Sequence, residues 1–90
     1  MRIVISSSEA TIERLVREVM PRRLQSTSLN PAMLLRGDLG IDSFGLISLA
    51  FRLEEEFSLD LFGYADDVAA VQTIGDVVGL VQRIKNPSSQ

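Results

Sequence analysis

From Ser43 to Phe57 the chain reads SFGLISLAFRLEEEF, and its apolar residues recur at the helical period over an unusually wide arc. At about 100° per residue, Leu46, Leu49, Ala50, Leu53 and Phe57 share one arc, enough to bury this helix against its neighbours. Phe44, Ile47 and Phe51 form a second arc beside it. Together the two span roughly 220°, well beyond the ~100° stripe a surface helix needs. Either a short third helix packs over Ile47 and Phe51, or the second arc is left for contacts outside the chain. Phe44 is the hardest to bury, because it stands in the first turn beside a loop, and an exposed ring there marks a partner surface.

The other segments supply what this helix packs on. Ile12, Leu15, Val16, Val19 and Met20 recur on one face, with Glu13, Arg14, Arg17 and Glu18 opposite, which predicts a first helix. Ser6 to Ser8 ahead of Glu9 are compatible with a capping box at its start, and Pro21 stops it because proline cannot continue the hydrogen-bond ladder. Residues 21–42 form a long connection, with a single turn expected where Asn30 caps and Pro31 takes the first position. A loop this long in a small domain suggests function. After SLDLFGYADD breaks the pattern, a short helix is expected around Ala65 to Ala70. Thr73 is a good N-cap for a last helix, with Asp76 three residues on, and Ile74, Val77, Val78, Val81 and Ile84 form its apolar stripe up to Asn86 and Pro87.

No period-two alternation, hairpin signal or internal repeat appears, so the expected fold is all-α: a small four-helix bundle of three longer helices and one short one, with a long first loop. Ninety residues suffice for one core, which predicts a single domain over residues 1–90, ordered from about residue 8 to 86 with a tail at 87–90. A monomer is expected. Twelve acidic against nine basic residues leave a net charge of -3, so the electrostatic footprint of a nucleic-acid binder is missing. The chain has no cysteine and no histidine. That removes disulfides, thiol nucleophiles and the residues that carry most acid-base and zinc chemistry near neutral pH, so no metal site is expected. An enzyme would have to work with carboxylates such as Glu54 to Glu56 or Asp66 and Asp67, and consecutive acids on a helix usually form a solvated face. The chain is therefore read as non-catalytic. Only three consecutive apolar residues occur near the start, too few for a signal-peptide core, and no later run reaches membrane-spanning length. A cytoplasmic location is expected.

Ser43 stands between the acidic loop and the wide helix. Its ordinary role would be N-cap, accepting a backbone N–H from the first turn. A hydroxyl at a helix N-terminus is also well placed to carry a phosphate ester, because free N–H groups and the positive dipole end stabilise an anion. Asp38 and Asp42 work against that purpose by repulsion. Their more sensible roles are first-turn dipole partners, or contacts for a basic enzyme and its metal ion.

The stretch DLGIDSFGLISLAFRLEEEF resembles the signature of acyl carrier proteins, an Asp-Leu-Gly-x-Asp-Ser-Leu motif followed by a helix with an acidic end and a phenylalanine. The likeness is close over Gly37 to Phe57 and extends, in helix order and length, over nearly the whole chain. It implies that Ser43 is the attachment point of 4'-phosphopantetheine, that Asp42 precedes it as in the family, and that Asp38, Leu39 and Gly40 form the presenting loop. It further implies that Phe44, Ile47, Phe51, Glu54 and Glu55 meet partner enzymes, with Glu56 completing the acidic end. The partners implied are a phosphopantetheinyl transferase and acyl-loading and acyl-processing enzymes.

Phe44 stands where the family usually has leucine. Gly45 and Ser48 occupy positions where carriers of primary fatty acid synthesis usually have acids, and Arg52 adds a positive charge on the same outer face. These departures favour a carrier for a specialised lipid, polyketide or related pathway, with general fatty acid synthesis as the alternative. A reading from another class is a helical adaptor that binds proteins through Phe44, Ile47 and Phe51 without a prosthetic group.

Overall fold

The computed structural model describes residues 7–85. Helix α1 spans Ser7–Val19, α2 Ser43–Phe57, α3 Ala65–Ala70 and α4 Ile74–Lys85, so the fold is an all-α bundle of three longer helices and one short one. The expected capping role of Ser6, the helix stop at Asn86 and Pro87 and the tail lie outside the described residues.

Helix α1 is the one on which both α2 and α4 pack. Its face made by Ile12, Leu15, Val16 and Met20 is buried, as the periodicity predicts, and Val19 is half-buried at its end before Pro21. In α4 the buried face is Ile74, Val77, Leu80 and Val81, while Val78 and Ile84 are only half-buried. The stripe is rotated from the expected one toward Leu80, on the side that faces α3 and its connection. Thr73 caps α4 reciprocally with Asp76: the Asp76 N–H donates to Thr73 Oγ1 at 3.0 Å, and the Thr73 N–H donates to Asp76 Oδ2 at 3.1 Å.

The long connection is ordered by feet and ties. Leu35, Leu39 and Ile41 point into the core. An antiparallel bridge joins Leu34 to Thr73, with Leu35 N–H donating to Gln72 O at 2.9 Å and Ile74 N–H to Met33 O at 3.2 Å. At its near end a 3₁₀ turn at Arg22–Leu24 follows α1, and Arg17 Nη1 donates to the Gln25 and Thr27 carbonyls. Asn30 makes the expected turn, its Oδ1 accepting the Ala32 N–H at 2.9 Å, but no helix grows from it. Sequence periodicity gave no sign of the bridge or of the 3₁₀ turns, because neither has an apolar period of its own.

Candidate functional site

The loop enters α2 through Gly40, whose φ of 69° lies in the left-handed region. Its Cα faces Pro21 and Leu24, and a Cβ there would come within 3.2 Å of Pro21 Cγ. Glycine therefore serves both the turn and the close approach. Leu39 and Ile41 on either side are buried, so the loop before α2 is anchored by alternate residues. Asp38 folds back within the loop, its Oδ2 accepting the Leu34 N–H at 2.8 Å.

Asp42, and not Ser43, is the N-cap. Its Oδ1 accepts the Gly45 N–H at 2.8 Å from an extended backbone (φ -88°, ψ -178°). That leaves Ser43 as the first helical residue with no capping duty. It is exposed, and its Oγ accepts a hydrogen bond from Arg36 Nη1 at 3.1 Å. Sequence reasoning passed over Arg36, since an isolated arginine in a loop carries no pattern.

The second arc of α2 is uncovered. Phe44 is 77% exposed, Ile47 55% and Phe51 63%, so α3 does not pack over them. Phe62, in a 3₁₀ turn at Phe62–Tyr64 before α3, is also exposed. Helix α3 lies on the other side of α2, where it helps wall a cavity of about 470 Å³. Leu46, Leu49, Ala50 and Leu53 of α2, Val68 of α3, and Val77, Leu80 and Val81 of α4 line it, with Leu35, Arg36, Val71 and Gln72 among its other walls. The volume falls within the ~300–1,000 Å³ of small-molecule sites, and the lining is mostly aliphatic. Arg36 thus borders the cavity and touches the serine.

The acidic end of α2 is largely occupied. Glu54 Oε2 accepts the Leu61 N–H at 2.9 Å and ties the next loop to the helix. Glu56 pairs with Arg14 at 3.5 Å, and Glu55 lies 3.9 Å from Arg52. Arg52 also pairs with Glu18 of α1, so its charge is shared with two carboxylates and is not free on the outer face. Gly45 is buried, and a Cβ there would lie 2.8 Å from Ile41 Cγ2 and 3.4 Å from the Val19 carbonyl. Glycine at this position makes room for the buried Ile41 side chain, with the end of α1 at ordinary contact distance. It is not a missing surface acid. Ser48 is half-buried.

The family model of the phosphopantetheine attachment site matches residues 10–81. The chain belongs to this phosphopantetheine-attachment family. No solved structure matches it. Its members hold 4'-phosphopantetheine covalently and act as carriers, which agrees with the acyl-carrier signature read from the sequence. The residues at the start of α2 fit the group: Ser43 is exposed and free of capping, a cation lies on its oxygen, and an aliphatic cavity begins one side chain away. Among the described residues no cluster suited to a metal ion occurs, and no helix is long and apolar enough to cross a membrane.

Proposed function

We propose that this phosphopantetheine carrier is an acyl carrier protein whose arm is attached to Ser43, working in a specialised lipid, polyketide or related pathway. The arm supplies a terminal thiol that holds an acyl group as a thioester. In its attachment, catalysed by a separate transferase, the Ser43 oxygen forms a bond to the pantetheine-side phosphorus of coenzyme A. The pyrophosphate P–O bond breaks, the adenosine bisphosphate leaves, and the serine proton passes to the transferase. The chain's own part is positional: Asp42 fixes the helix start, Leu39 and Ile41 anchor the loop, and Gly40 makes the turn that brings Ser43 to the surface.

The observation that carries the reading is the exposed, uncapped Ser43 joined through Arg36 to a cavity walled by aliphatic side chains. Such walls suit an acyl chain better than a charged or strongly polar load. The specialised pathway is supported by the face that flanks Ser43. Phe44, Ile47 and Phe51 are exposed there, whereas Glu54, Glu55 and Glu56 lie farther along and each has a partner in the chain. Partner enzymes would meet apolar surface first, and charge would contribute less to recognition than in a carrier with an acidic rim.

Incubation with coenzyme A and a broad-specificity phosphopantetheinyl transferase, read by intact mass, tests the attachment. Wild type should gain one arm and Ser43→Ala none, with unchanged helical circular dichroism. An unmodified wild type would leave the adaptor reading, since its exposed arc would serve protein binding equally well. Steady-state kinetics with general fatty acid elongation enzymes test the pathway. Processing as efficient as that of a standard fatty-acid carrier would move the assignment to general fatty acid synthesis.

A further inference from the structure

We propose that Arg36 is the binding residue for the phosphodiester: its guanidinium leaves the Ser43 hydroxyl on modification and clamps the phosphate that replaces it. The inference rests on attachment at Ser43. Arg36 Nη1 already donates to the oxygen that would become the ester oxygen, so the new phosphoryl group is one bond from the atom it touches. Among the described residues Arg36 forms no salt bridge, although Asp38 and Asp42 are close in sequence. Both carboxylates accept backbone N–H groups elsewhere, Asp38 from Leu34 and Asp42 from Gly45. The guanidinium is thus left without a carboxylate partner next to the one hydroxyl that gains a negative charge.

The backbone beneath it is fixed without help from the side chain. Arg36 O accepts the Gly40 N–H at 3.1 Å, and neighbouring Leu35 donates to Gln72 O at 2.9 Å. A guanidinium on a fixed base presents several donors in a planar fork, which matches the non-bridging oxygens of a phosphodiester better than a lone hydroxyl. It also offsets the repulsion that Asp38 and Asp42 exert on the same charge. Arg36 further borders both the aliphatic cavity and a smaller pocket beside Leu34 and Gly37, so a phosphate held by it stands at their shared edge.

The test compares thermal melts of unmodified and modified protein for wild type, Arg36→Lys and Arg36→Gln, with intact mass reporting modification. Arg36 is exposed, so the variants should fold. Modification should raise the wild-type Tm by about 2–6 °C at low salt, the scale of one exposed charge-assisted pair in a domain of this size. The rise should shrink at about 1 M salt. It should be smaller in Arg36→Lys and absent or reversed in Arg36→Gln, where the two aspartates act alone. In wild type the Arg36 guanidinium proton resonances should shift on modification. Full modification with the same Tm rise in Arg36→Gln as in wild type overturns the clamp and leaves the carrier assignment standing. Failure of wild type to gain mass at Ser43 overturns the attachment reading, and the clamp with it.

Discussion

Gly45 gives the sharpest test of how the loop before α2 packs against the start of that helix. From the family resemblance alone, an aspartate there would restore a surface acid; the structure predicts damage. A Cβ at this position would sit 2.8 Å from Ile41 Cγ2, 3.3 Å from Asp42 Oδ1 and 3.4 Å from the Val19 carbonyl. Ile41 is 2% exposed and cannot swing its methyl into solvent. Gly45→Ala should gain about 1 kcal/mol in helix propensity and lose about 1–3 kcal/mol to overpacking, a net loss of about 0–2 kcal/mol. Gly45→Asp gains less propensity, suffers the same crowding and sets a second carboxylate against the Asp42 cap, whose loss alone costs about 0.5–2 kcal/mol. Its total should be about 2–4 kcal/mol, lowering Tm by ~10 °C or more in a domain of this size. Urea melts of the unmodified protein measure both. Wild-type stability in Gly45→Asp, or a clear gain in Gly45→Ala, would refute the argument that Ile41 leaves no room for a side chain here.

Leu53→Ala should cost about 2–5 kcal/mol in the same melts, toward the lower end because Leu53 already borders a cavity, whereas Phe44→Ala and Phe51→Ala should each cost under about 1 kcal/mol. Asp42→Ala should destabilise by about 0.5–2 kcal/mol through loss of the α2 cap, while Ser43→Ala, which removes only the contact with Arg36, should be close to wild type. Asp76 accepts the backbone N–H groups of Gln72 and Thr73 and hydrogen-bonds with the Thr73 side chain, which together hold its carboxyl below the usual range despite partial desolvation. The folded state therefore favours the carboxylate, and this contribution is present above the unfolded-state value of about 3.9 and disappears as pH falls through the lower folded-state value. Asp76→Asn should accordingly be less stable than wild type at neutral pH, with the gap closing in acid melts below about pH 4.

The helices were legible because each carries its own apolar period and a local stop or start, as Pro21 and Thr73 show. The serine and its loop were legible because seven consecutive residues make a distinctive signature. What stayed hidden depends on contacts between segments far apart in sequence. Gly45 looks like a surface gap until the buried Ile41 side chain is placed against it. Leu80 lies outside the expected stripe yet is buried on the side facing α3, and Glu54 looks like a free acid until the Leu61 N–H is found on it. Arg36 is recognised only when its reach to Ser43 is known.

The ties between the long loop and the start of α4 bear on how the molecule can treat loads of different size. Leu35, Met33 and Pro31 are bonded to Gln72, Ile74 and Gly75, so the platform under Ser43 and the base of α4 form one stiff frame. The opposite wall of the cavity is α3, only six residues long and braced on its outer side by the exposed Asp67–Arg83 ion pair at 3.1 Å. Swelling of the interior would fall on this compliant wall, because displacing it breaks few bonds, while the frame would hold its shape. Were the cavity to take the load proposed for the arm on Ser43, the frame would keep the serine in place while α3 moved.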